Sequence, residues 1–131
     1  MTRLTRSLTS ITIVNILVLF GCGFKKSPSD IVKATYMAAN SGQYSEVEKH
    51  LSRGALSALN GPEGASNGGL KGIWDKKTRN GTIEKIEIER EFTRDEQALV
   101  SIAIHLKDGR NVEGSEILIK EDGEWKLNRI P

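Results

Sequence analysis

Two Asp-Gly pairs, Asp108-Gly109 and Asp122-Gly123, punctuate alternating apolar and polar residues in the C-terminal part of the chain. Few folds accommodate that pattern. Ile86, Ile88 and Phe92 alternate with Lys85, Glu87, Glu89 and Glu91. Val100, Ile102, Ile104 and Leu106 alternate with Leu99, Ser101, Ala103, His105 and Lys107. Period-two alternation gives each strand one apolar face, and Asp-Gly is a strong two-residue hairpin signal. A third strand is predicted over about Asn111 to Lys120, with Gly114 at a bulge. A fourth spans Glu124 to Ile130, with Trp125 and Leu127 on one face. Turns this short force neighbouring strands to run antiparallel. The outcome is a four-stranded meander whose apolar face other elements must cover.

The cover has to come from the residues before it. Ser27-Pro28-Ser29-Asp30 has the layout of a helix start: Ser27 caps, Pro28 takes the first helical position, and Asp30 closes a capping box. Ile31, Ala34, Thr35 and Ala38 fall on one side of that helix, and Asn40-Ser41-Gly42 stops it. A second helix is predicted from Ser45, with Glu48 closing its box, Val47 and Leu51 on one face, and Arg53-Gly54 ending it. Ala55 to Leu59 adds a turn or two. Asn60 to Gly69, rich in Gly and Asn, reads as a flexible loop. Leu70, Ile73 and Trp74 form a short helical turn stopped at Asn80-Gly81. The fold class is α+β, with N-terminal helices packed on a curved sheet.

The first residues do not belong to that domain. Arg3 and Arg6 precede an apolar stretch from about Leu8 to Phe20. This is a secretory signal layout, too short to span a bilayer. It runs into Leu19-Phe20-Gly21-Cys22, which holds the chain's one cysteine. That run resembles the lipobox of bacterial lipoproteins, with Phe20 bulkier than the usual residue. The resemblance implies cleavage before Cys22 and a diacylglyceryl thioether on its sulfur, leaving Cys22 diacylated or triacylated with palmitate or similar chains. Two or more acyl chains suffice for stable anchoring, where one does not. The expected organisation is a signal peptide over 1–21, lipidated Cys22 and a tether over 22–27, and one domain over 28–131. Gly23 follows the cysteine; in such lipoproteins an Asp there marks inner-membrane retention. The expected location is the bacterial cell membrane or outer membrane, with the domain facing periplasm or exterior.

Charge removes one class of partner. The chain carries 19 basic and 17 acidic residues. The excess is Arg3 and Arg6, so the domain itself is close to neutral. It has no basic stripe with interleaved aromatics, which argues against nucleic-acid binding. Lys25 and Lys26 follow the anchor, facing lipid headgroups or lying in a solvated tether.

Helices followed by a meander that closes on Trp125-Lys126-Leu127 resemble the nuclear transport factor 2-like (cystatin-like) fold. More narrowly, the chain resembles bacterial lipoproteins built on a domain of unknown function. The shared features are the lipobox, the opening helix Ser27-Pro28-Ser29-Asp30-Ile31-Val32, then Gly42-Gln43-Tyr44, and a last strand with an aromatic-Lys-Leu core. The resemblance implies a sheet curled around a helix, leaving a cone. Tyr36, Met37, Trp74, Arg90 and Trp125 either line that cone or form core. Arg90 shares parity with Ile86 and Ile88, so it needs an acidic partner or an anionic ligand if it points inward; a bulge would turn it out.

No catalytic constellation is evident. His50 and His105 lie far apart and Cys22 is consumed, so neither a metal site nor a nucleophile is expected, and no cofactor. Gly64 to Lys71 fails as a phosphate loop on spacing and context. Glu87, Glu89 and Glu91 share parity as an acidic outer row. The reading that fits best is a membrane-anchored envelope lipoprotein that binds a small hydrophobic ligand or an envelope protein without catalysis. The alternatives are a small-molecule isomerase or hydrolase working in the cone, and a subunit of an envelope or secretion assembly.

Overall fold

The computed structural model describes residues 25–129. The expected signal segment and Cys22 lie outside the described residues. Helix α1 spans Pro28–Asn40. Ser27 accepts from the Asp30 amide and the Asp30 carboxylate accepts from the Ser27 amide, each at 3.1 Å. This reciprocal box satisfies two of the amides a helix start leaves free. The buried stripe is Ile31, Val32, Thr35, Tyr36 and Ala39. It is rotated by about a residue from the expected small-residue face, and Ala34 and Ala38 are only half-buried. The larger side chains take the interior because burial stabilises in proportion to apolar area. Gly42, at φ +75°, ends the element.

Helix α2 spans Tyr44–Lys49. Its cap is Gln43, with no side-chain hydrogen bond, so Ser45 does not open the helix as expected. Nor do Arg53 and Gly54 end it. The chain leaves α2 at His50 and makes a parallel bridge from Leu51 to Leu127. The Leu127 amide donates to the His50 carbonyl, and the Ser52 amide to the Leu127 carbonyl, both at 2.8 Å. Ser52 then caps α3, Arg53–Leu59.

The expected loop at 60–69 contains helix α4, Pro62–Ser66, and is followed by α5, Gly69–Lys77. Gly68 and Gly69 take positive φ, at +81° and +71°, whereas Gly64 and Gly72 serve close contact. A Cβ on Gly64 would lie 1.8 Å from the Leu59 carbonyl oxygen, and one on Gly72 1.9 Å from that of Asn67. Backbone meets backbone at both points, which only glycine permits.

The strands are β1 (Ile83–Arg94), β2 (Gln97–Leu106), β3 (Asn111–Glu121) and β4 (Glu124–Leu127), antiparallel and ordered β1-β2-β3-β4. Asp122 and Gly123 both adopt positive φ between paired Glu121 and Glu124, the geometry of a two-residue hairpin whose twist matches its strands. The β2–β3 turn is longer than the expected two residues: Lys107 to Arg110 separate the strands, and Gly109, at φ +92°, closes it. The β2–β3 register runs unbroken through Ile102 and Gly114, so the expected bulge is absent. The bulges lie in β1, between Ile83 and Lys85 and between Ile88 and Arg90. The second flips parity. Glu91 now pairs with Val100 on the inner face, and Phe92 with Leu99 on the outer one. Phe92 is therefore 60% exposed instead of buried, and the expected acidic row is split. The inner face carries Ile86, Val100, Ile102, Ile104, Leu106, Val112, Leu118, Trp125 and Leu127, and α1 lies across it.

Candidate functional site

A charged residue stands at an inward position of β3. Val112, Gly114, Glu116 and Leu118 share one face, and Glu116 is 3% exposed. A carboxylate taken out of water must be paired and hydrogen-bonded. Tyr36 on α1 donates its hydroxyl to Glu116 Oε1 at 2.5 Å, and Lys77 at the end of α5 donates to the same oxygen. Gly114 lies beside the phenol: a Cβ there would make an ordinary 3.8 Å contact with the Tyr36 hydroxyl.

Trp74, one turn before Lys77, stands edge-on to Tyr36, with centroids 4.6 Å apart at 76°. Edge-to-face contact is a preferred geometry for aromatic pairs. The Lys77 ammonium lies 5.3 Å from the Tyr36 ring centre and 5.6 Å from that of Trp74, within cation–π range. The Trp74 indole N–H is buried without an acceptor. Burial, then the Glu116 charge and the hydrogen bond to it, push the Tyr36 phenol far above its ordinary range. It is held as a donor.

Tyr36 and Lys77 shield this carboxylate from solvent. A general base needs a free carboxylate within reach of substrate. Both donors occupy the same Glu116 oxygen, and its side chain is 4% exposed. A groove of about 400 Å³ runs past Trp74, Asn40, Tyr44 and Asp75, but neither Tyr36 nor Glu116 lines it. Tyr36, Trp74 and Glu116 are all buried beneath the sheet.

Tyr36 and Trp74 thus meet in one cluster, and the other sequence-derived candidates lie elsewhere. Met37 is 41% exposed on α1. Arg90, beyond the second β1 bulge, is exposed on the outer face beside Glu89, Ser101 and Glu113. Trp125 is buried on β4, beneath the Lys120 ammonium at 5.1 Å. Glu116 and Lys77 were not singled out from sequence. The parity of Glu116 with Val112 and Leu118 is the available signal; Lys77, in the last turn of α5, carries none.

The former acidic row has found separate partners. Glu91 accepts from the Ser29 amide at 2.9 Å and from its hydroxyl at 2.5 Å, placing a carboxylate at the start of α1 where the helix dipole favours it. Glu87 pairs with Lys85 and lies 3.4 Å from His105. Phe92, Leu99 and Ile117 form a cross-strand apolar row on the outer face, 60%, 41% and 37% exposed. Among the described residues no three His, Cys, Asp or Glu converge as metal ligands, and no helix is long and apolar enough to cross a membrane.

A family model described as a domain of unknown function, DUF4878, matches residues 20–128. No curated protein sequence matches the chain significantly. Among solved structures, a Campylobacter jejuni protein with the provisional name NTF2-like transpeptidase aligns at TM-score 0.60 and 19% identity, over 79% of this chain and 98% of that one. A SEC-C motif containing protein from Rhodopseudomonas palustris aligns at TM-score 0.55 and 9% identity, over 79% of this chain and 76% of that one. At such identities the likeness carries the fold alone: this is an NTF2-like α+β domain.

Proposed function

The chain belongs to the DUF4878 family, and from that premise we propose that it is a lipid-anchored cell-envelope protein whose domain binds a partner without catalysis. The observation that carries the non-catalytic part is the buried, paired carboxylate of Glu116. Glu116 is spent on Tyr36 and Lys77, and an isomerase or hydrolase working there would need that carboxylate open to substrate. Leu19-Phe20-Gly21-Cys22 supports the anchored part, and the family match, starting at residue 20, takes in Cys22.

A second reading, a subunit of an envelope assembly, is favoured by the apolar row Phe92, Leu99 and Ile117. Strand alternation leaves these side chains facing water, with none of the described residues covering them. An exposed apolar patch on a small domain is a common mark of an interaction surface.

The test is fractionation of bacterial cells producing the parent or Cys22→Ser, fed an alkyne-bearing fatty acid. The parent should carry the label and sediment with membranes. The serine variant should lose the label and leave the membrane pellet. Equal labelling of the two, or equal membrane retention, would overturn the anchor.

A further inference from the structure

Beside the tether the fold assembles a groove of about 550 Å³. Lys25 and Lys26 bring it the residues just before α1. Lys49 and His50 come from the end of α2, and Trp125 and Lys126 from β4. Trp125 and Ile31 are nearly buried and make its floor. Four lysines line it against two acids, Asp122 and Glu124.

Part of that charge is already engaged. Lys49 pairs with Glu46 at 2.8 Å and Lys126 with Glu124 at 3.4 Å. Asp122 turns to Arg53 at 3.2 Å. Lys25 and Lys26 form no ion pair with any described residue. Lys126 also donates to the Lys49 carbonyl at 2.6 Å, which fixes the two lysines beside each other at the end of α2. The field left over is positive, and His50 registers it. Burial first, then Lys26 and Lys126, hold its imidazole below the ordinary range, against the opposing pull of Glu46 and Glu124.

The chain's own connectivity says what meets this groove. Cys22 precedes Lys25 by three residues. Even fully extended, that stretch reaches only about 11 Å. With Cys22 acylated, the groove opens within that distance of the bilayer surface. We propose that the basic groove of Lys25, Lys26, Lys49, His50 and Lys126 over Trp125 docks on the headgroups of an anionic membrane, fixing how the tethered domain faces the bilayer. Basic residues beside an anchor are attracted by anionic lipid within a Debye length, and an aromatic floor suits the interface. This inference rests on the anchor reading for its geometry. The outer row of Phe92, Leu99 and Ile117 would then stay available to another protein.

The test uses the full natural chain mixed with vesicles of phosphatidylcholine alone, or with three parts in ten phosphatidylglycerol. Lysine acetylation is read residue by residue by mass spectrometry. Lys49 and Lys126 should react several-fold more slowly on the anionic vesicles, whereas Lys71 and Lys107 should not change. High salt should erase the difference, because it shortens the Debye length. Lys25→Gln with Lys26→Gln, at two exposed positions outside any helix, should erase it too. Equal reactivity of Lys49 and Lys126 on the two vesicles overturns the proposal. Protection by inorganic phosphate in neutral vesicles also overturns it, by showing a site for free anions. The mass of Cys22 in the same sample scores the anchor separately: an unmodified thiol with slowed lysines sinks the anchor and leaves the groove standing.

Discussion

Tyr36 and Glu116, 80 residues apart in sequence, meet at 2.5 Å inside the cone, phenol to carboxylate. This contact, with Lys77 on the same oxygen, ties α1 and α5 to β3. A hydrogen bond to a buried charge is worth about 1.5–3 kcal/mol, so Tyr36→Phe should destabilise the domain by about that amount. Glu116→Gln strands the Lys77 ammonium and should cost about 3 kcal/mol or more. In a double-mutant cycle read from urea unfolding, the pair should couple by about 1 kcal/mol or more. Additive effects would show that the contact does not carry the packing.

Glycines in the helical stretch make opposite predictions. Gly64→Ala drives a Cβ to 1.8 Å from the Leu59 carbonyl oxygen, and should cost about 2 kcal/mol or more as α4 is pushed off α3. Gly54→Ala, exposed in α3, has nothing nearer than 3.9 Å; it should stabilise by about 0.5–1 kcal/mol, because alanine loses less entropy in a helix. Thermal midpoints shifting the same way for both would contradict the close-contact account.

These glycines also mark where the sequence could not be read. The Asp108-Gly109 and Asp122-Gly123 turns, the Ser27–Asp30 box and the alternation of β2 are local signals, and the antiparallel meander and α1 followed from them. A glycine required by contact looks the same in sequence as one that permits flexibility, so the α4 segment reads as a loop. The Ile88/Arg90 bulge has no residue signature of its own, so by alternation Phe92 reads as inward. Glu116 is paired by α1 and α5, and no local window shows that. Tyr36 and Trp74 could be named as interior; what they surround could not.

His50 gives a pH dependence of known sign. Its imidazole is held below 6.5 by burial first, then by Lys26 and Lys126. The unfolded chain therefore binds that proton more readily. The stability this contributes is whole above pH about 6.5 and drains away as pH falls through and below that value. Urea midpoints at pH 7.5 and pH 5.5 should differ less in His50→Gln than in the parent. A parent that gains stability on acidification over this range, with the variant flat, would reverse the assignment.

The outer row should separate stability from binding. Leu99→Lys replaces a 41% exposed side chain and should change stability by no more than about 0.5 kcal/mol. In envelopes carrying a photo-crosslinker at Ile117, it should abolish adducts formed by the parent. Unaltered adducts would remove this face from the interaction surface.

The account depends most on what lies at Cys22, and intact mass with N-terminal peptide sequencing of the protein purified from its own membranes reads it directly. The expected result is a chain beginning at Cys22 with a diacylglyceryl thioether on its sulfur. A free thiol there, or a chain still beginning at Met1, would contradict it.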